Sequence, residues 1–293
     1  MRPVTASIVA ALLASGGMAG AFAAPSSFAF VRKPALLAAS AATVVDTRPD
    51  GQCQRATIAG AHCLSPADLL GPHGRLPSFR QINWVLGTAG LAGRGTVVVV
   101  GRNPVWRDFV AGMLFLCGQP RVWVMTQPVD ALLKTSAVNQ GPGRARAILA
   151  APLFTAAARS TLVVFRSELS RSLYRTPPPV LLDGRSEAEY WGGEIRAARG
   201  GHIPGARLFP MRLAVHIGGR RAGAPAFYRG AIAYAQDPLS GIAYFTLLRA
   251  GLGIAVRVYP GGWRQWAAHT ALPADAETYP EPPVAATAVT GTS

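Results

Sequence analysis

The chain has 293 residues, half of them hydrophobic, which is enough for two domains with buried cores. Lys and Arg number 29 against 14 Asp and Glu, a formal net charge of +15, and only Lys33 and Lys134 are lysines. The arginines are scattered and no nucleic-acid-binding motif appears, so nucleic acid is set aside. A base composition favouring Arg and Ala accounts for the excess as well as an anionic ligand or surface suited to guanidinium groups does.

Taken in order, the chain opens with Arg2, a small apolar run from Ser7 to Gly20, and Ala21-Phe22-Ala23. That pattern predicts a secretory signal peptide over 1–23, with Ala24 as the first mature residue and a periplasmic or secreted destination. No later run is long and apolar enough to predict a transmembrane segment in the mature chain. Residues 24–41 read as an extended lead-in. Ala42 to Arg48 predicts a buried strand with a polar end, and Thr57 to Leu64 a second extended piece. Ser65-Pro66 starts a helix with a capping Ser and a Pro in its first turn. Gly95 to Val100 is the clearest strand, followed by a loop over Gly101–Arg107, a helix over Asp108–Cys117 and a strand over Arg121–Met125. Strand, loop, helix and strand make a parallel βαβ unit.

Residues 136–177 read as a linker with a short apolar stretch, Leu162 to Phe165, and a polar helix. A second unit then repeats the first: Val180 to Arg185 matches Val44 to Arg48, Gly201 to Ala206 matches Thr57 to Ala61, the strand and loop at 231–240 match 96–107, and Ile254 to Tyr259 matches Arg121 to Met125. The expected division is therefore an α/β unit over 42–135, a second over 178–272, and a disordered tail over 273–293. Cys53 and Cys63 stand ten apart in a loop-rich region and are a candidate disulfide. Cys117 sits in an apolar helical run and reads as a small buried hydrophobe. No metal-ligand cluster, Ser-His-Asp set or carboxylate pair stands out, and no cofactor is expected.

Three segments of the second unit carry a resemblance: Leu182 to Gly192, Gly200-Gly201-His202-Ile203-Pro204-Gly205-Ala206, and Tyr259 to Trp266 with Gly261-Gly262. In this order they resemble the tandem form of the rhodanese family, two rhodanese-like domains in one chain. The first unit is a degenerate copy, with Thr57 in place of the motif's His and Ala59 in place of its Pro. The resemblance implies transfer of a sulfane sulfur through a Cys on the loop between a strand and the next helix. There the thiolate and its persulfide are held by backbone N–H groups and the helix dipole. That position is Ala235 in the second unit and Gly101 in the first, so no catalytic residue is expected at either.

The candidate anion pocket consists of Asp183, Arg185, Gln236, Asp237 and Ser240 around the second loop, and Arg102 and Arg107 around the first. For Asp183 and Arg185 the resemblance implies bracing of the loop; a strand-end salt bridge is the alternative. Asp237 either opposes an anion or caps the next helix. His202 is expected to pack its turn, Trp263 and Trp266 to fill the core, and His216, Arg220 and Arg221 to form a solvated basic run. The leading expectation is an exported, non-catalytic rhodanese-like protein that binds a small oxoanion, a sulfur species or a protein partner. The alternatives are a sulfurtransferase working through another or a partner's thiol, and a basic surface-binding protein.

Overall fold

In the computed structural model, residues 27–39, 42–149, 151–219 and 228–276 are described. The expected signal peptide, Arg220, Arg221, the side chain of His216 and the tail beyond 276 lie outside them. The first half is built on five parallel strands: β1 (Phe28–Val31), β2 (Thr43–Asp46), β4 (His62–Cys63), β5 (Thr96–Val100) and β6 (Arg121–Met125), in the order β1-β6-β5-β2-β4. The Val run of β5 is central and buried, as a parallel strand covered on both faces requires. Short helices α1 (Ala35–Ala39), α2 (Asp50–Cys53) and α3 (Pro66–Leu69), and the longer α4 (Phe79–Thr88) and α5 (Pro104–Leu116), connect the strands; α6 (Val129–Leu132) follows β6. A two-stranded antiparallel ribbon joins β3 (Thr57–Ile58) to β7 (Gln140–Gly141).

The second half repeats this plan with four parallel strands: β8 (Leu181–Asp183), β9 (Ala206–Leu208), β10 (Ile232–Tyr234) and β11 (Arg257–Val258), in the order β11-β10-β8-β9. That order corresponds, strand for strand, to β6-β5-β2-β4 of the first sheet. The segment before it holds α7 (Arg166–Ser172). Within it lie α8 (Glu187–Tyr190), α9 (Met211–Gly219), α10 (Pro238–Thr246) and α11 (Gly262–Ala267), and a π turn, Leu247–Gly251, continues α10. The architecture is α/β, parallel sheets flanked by helices, as the sequence leads one to expect.

Helices α5 and α10 pack on each other, and one hydrophobic core runs through both halves. Gly112 makes the close approach possible, because a Cβ there would lie 2.7 Å from the Ile242 side chain. The Thr246 hydroxyl donates across the seam to the Asp108 carbonyl at 2.8 Å, and Phe28 stacks on Phe115 at 4.2 Å beside Phe245.

Several expectations change. The lead-in contains β1, which pairs with β6 at the sheet edge, so Phe28 to Val31 belongs to the first sheet. Within residues 136–177 the chain is packed rather than loose: Ala147 N–H bonds the Thr88 carbonyl, Arg159 N–H the Leu116 carbonyl, and Val164 N–H the Val258 carbonyl. The first residues of the expected tail are held too. Asp275 exchanges backbone hydrogen bonds with His202, and the Trp266 indole donates to the Pro273 carbonyl. Both long helices start inside the expected loops, α5 at Pro104 rather than Asp108 and α10 at Pro238, within the loop expected to run to residue 240.

Candidate functional site

The ends of β5 and β10 are each joined to the following helix by three residues, Gly101-Arg102-Asn103 and Ala235-Gln236-Asp237. Each linker ends in an Asx residue that caps the helix, followed by Pro at the first helical position. The Asn103 side-chain Oδ1 accepts from the N–H groups of Val105 and Trp106 at 2.9 and 3.2 Å. Asp237 accepts from the Ser240 N–H at 3.0 Å, and the Ser240 hydroxyl reaches the Asp237 N–H at 3.1 Å. Side chains of the chain itself thus satisfy first-turn amides that would otherwise hold an anion. Asp237 adds a negative charge at that point, and its other oxygen binds Arg264 at 2.7 Å.

Ala235 is 2 % exposed. Its carbonyl accepts the Trp263 N–H at 2.8 Å, and the Gln236 carbonyl accepts the Arg264 N–H at 2.9 Å. Gly262 permits this contact: it has φ +61°, and a Cβ there would lie 2.6 Å from the Ala235 oxygen. The Gln236 side-chain amide donates to the Arg196 carbonyl at 2.8 Å. In the first half, a Cβ on Gly101 would collide with the Thr47 hydroxyl.

Asp183 and Arg185 form a closed brace. Arg185 Nε donates to both carboxylate oxygens at 3.0 and 3.1 Å, and Nη2 donates to Asp183 at 2.6 Å and to the Gly201 carbonyl at 2.8 Å. Both side chains are buried. Asp46 and Arg48 repeat the brace in the first half, with the Thr57 hydroxyl as a further donor to Asp46 at 2.6 Å. His202, at the place of Thr57, stacks on Tyr190 at 3.6 Å with Nδ1 against the Tyr190 carbonyl, and burial holds its pKa below the ordinary histidine range. Trp263 and Trp266 are core residues. His202 and the two tryptophans are thus packing elements.

The members of the expected anion pocket do not converge. Arg107 is buried and turned away, donating to Asp108 at 2.8 Å and to the Met125 carbonyl at 3.1 Å, because the helix begins three residues before it. Arg102 extends outward to Asp130 at 2.5 Å. Arg185 spends Nε and Nη2 on Asp183 and the Gly201 carbonyl, and Asp237 and Ser240 are spent on the cap.

A cleft of about 1070 Å³ does open beside the second loop. One wall is His73 to Phe79 with Ile82, the floor is Val163 to Ser167, and the other wall is Pro238, Tyr259 to Gly261 and α11. The loop shows it Pro238, while Ala235 stays behind. Its lining is mainly apolar, with Arg75, Arg166 and Arg264 among the side chains around it. Arg75 and Arg166 form no ion pair among the described residues. His73 to Phe79 carries no motif and escaped the sequence reading, and Tyr259 to Trp266 was singled out there for the resemblance and not as a cleft wall.

No protein-family model and no curated protein matches the chain. Solved structures do. A probable thiosulfate sulfurtransferase is 25% identical with a TM-score of 0.57, over 80% of this chain and 98% of the other. The Tum1 protein of Saccharomyces cerevisiae is 16% identical with a TM-score of 0.65, over 84% and 96%. The 3-mercaptopyruvate sulfurtransferase of Leishmania major is 16% identical with a TM-score of 0.62, over 84% and 76%. The structural neighbours of this chain are rhodanese-like sulfurtransferases.

On this rhodanese-like fold the placement of the thiols becomes the central chemical question. The chain has three cysteines. Cys53 and Cys63 are joined in a disulfide under Gly143, both fully buried, next to the β3–β7 ribbon. Cys117 caps the C-terminus of α5 inside the core, and burial pushes its thiol up to about 12. None stands on a strand-to-helix loop. Among the described residues no cluster suits a metal ion, and no helix is long and apolar enough to cross a membrane.

Proposed function

We propose that this is an exported rhodanese-like binding protein that transfers no sulfur through a thiol of its own. In this reading it holds a small anionic molecule with an apolar body, a sulfur species among the candidates, in the cleft beside Pro238. The observation that carries the reading is that all three cysteines are buried away from both loops; the sequence resemblance assigns the sulfur-carrying position to Ala235. A thiolate at ordinary pH is the nucleophile such transfer requires, and Cys117 is held protonated by its surroundings. The burial of Ala235 also speaks against a partner's thiol working in its place.

The cleft supports the binding half. Apolar walls with a few charged groups are what small-molecule sites have, and Arg75 and Arg166 supply cationic groups free of carboxylate partners among the described residues. Export rests on the N-terminal pattern and agrees with a disulfide-bonded chain.

The test is intact-mass measurement after incubation with thiosulfate, alongside thermal melts with thiosulfate, 3-mercaptopyruvate and larger aromatic carboxylates. We expect no gain of a sulfur atom, and a higher melting temperature with an anion that Arg166→Glu abolishes. A sulfur adduct released by cyanide would overturn the non-catalytic half; melts unmoved by every anion would overturn the cleft.

A further inference from the structure

The packed segment between the halves carries an exposed apolar tip that neither the fold nor the cleft uses. It is pinned on α4 at two points. Ala147 N–H bonds the Thr88 carbonyl at 2.8 Å, and the Pro152 carbonyl lies 2.5 Å from where a Cβ on Gly87 would stand. Between and just beyond these points the chain turns Ile148, Leu149 and Leu153 outward, 75, 87 and 81 % exposed. Trp84 lies one turn before Gly87 and Thr88, hence on the same face of α4, and is 59 % exposed. Four large apolar side chains are thus exposed on α4 and the segment pinned to it, on a surface where single ones are the norm.

The surroundings are cationic. Arg80 stands one turn before Trp84 on that face, and Arg144 stands at the entry to the tip. Both are exposed and neither forms an ion pair among the described residues. The acids of this neighbourhood, Asp50 and Asp68, face Arg146, which binds Asp68 at 2.7 Å. Over residues 42–159 there are 12 Lys and Arg against 5 Asp and no Glu.

We propose that this tip docks on an anionic lipid bilayer, Leu149 and Leu153 entering the acyl boundary with Trp84 at the headgroup level and the arginines on lipid phosphates. Aliphatic side chains, an indole and cations on one face fit the graded polarity of a membrane interface. Repulsion between two copies of so basic a surface disfavours self-association there.

The experiment is co-sedimentation of the full chain with vesicles of phosphatidylcholine alone or mixed equally with phosphatidylglycerol. A Leu149→Ser/Leu153→Ser variant is run in parallel, its fold checked by circular dichroism. Both proteins carry the same N-terminal segment, so a difference between them belongs to the tip. Binding is expected to the anionic vesicles, to weaken as salt rises from about 0.1 to 0.5 M, and to fall about tenfold or more in the variant. Equal binding by the two proteins, or none to anionic vesicles, overturns the proposal. So does a concentration-dependent dimer that the variant loses while vesicles stay unbound. Leu149 and Leu153 line no part of the cleft, so the outcome of this variant is distinguishable from the outcome of anion binding there.

Discussion

Gly262 closes over Ala235 at the end of the second sheet. The next N–H, that of Trp263, donates to the Ala235 carbonyl at 2.8 Å, and there is no room for a side chain at 262. Ala235, to which the sequence resemblance assigns the sulfur-carrying position, is therefore shut away from the cleft beside it.

Ala235→Cys tests how much of a thiolate cradle survives. With Asp237 capping the helix and Pro238 offering no N–H, the new thiol is expected to titrate above the ordinary value of about 8.5, because burial outweighs what donors remain. The pH dependence of its alkylation rate reads this directly. An inflection well below that value means that the loop still stabilises a negative sulfur.

Gly101→Ala should destabilise the protein by about 1–3 kcal/mol, since its Cβ meets the Thr47 hydroxyl in a packed sheet end. Adding Thr47→Ala removes the obstacle, so the double variant should recover most of the loss. Urea unfolding of the four proteins of the cycle checks this. Additive losses would place the strain elsewhere.

Asp183→Ala or Arg185→Ala each strands a buried charge and should cost about 3–5 kcal/mol. Arg185→Lys is expected to rescue little, because an ammonium cannot reach the carboxylate and the Gly201 carbonyl with the same fork. Chemical denaturation supplies the measurement. A lysine variant as stable as the parent would remove the brace from the structural argument.

Asp108 sits at the seam, and burial raises its carboxyl to about 6, against the pull of Arg107. A carboxyl raised in the folded state stabilises fully below its unfolded range, near 4, and that contribution is lost as pH climbs through about 6. Asp108→Asn should therefore flatten the fall in stability between about pH 4 and 6 relative to the parent. Melting temperatures of both proteins across that window decide it; parallel curves would show that Asp108 does not titrate there.

The fold was legible because β-branched runs such as Thr96 to Val100 name a covered parallel strand, and because the second half repeats the order of the first. The brace was legible as a pair, Asp183 with Arg185, and its closure was not, since the Gly201 carbonyl that completes it comes from another loop. The Asp237 cap was one of two readings open in the sequence, and its counterpart was missed. Asn103-Pro104 and Asp237-Pro238 occupy matching places in the repeat and announce a capped helix start, which shortens both loops and turns Arg107 inward. β1 was missed because Phe28 to Val31 is short and set among Ala and Ser, and pairing with β6 decides its state. The cleft was not legible as one, since only its wall near 262 lies in a motif and the rest comes from residues near 75 and 165.

The seam where α5 meets α10 has a consequence for whatever enters that cleft. The helices behind Ile82 and Pro238, α4 and α10, share one apolar core with α5, with Gly112 pressed to Ile242 and Thr246 tied to Asp108, while Tyr259 and α11 pack in a second cluster. Prising the jaws apart would wet that interior, so the opening behaves as a rigid sieve rather than a mouth that closes on its catch. Admission is then settled by the width of the visitor, and a bulky one is turned away at the rim instead of being embraced.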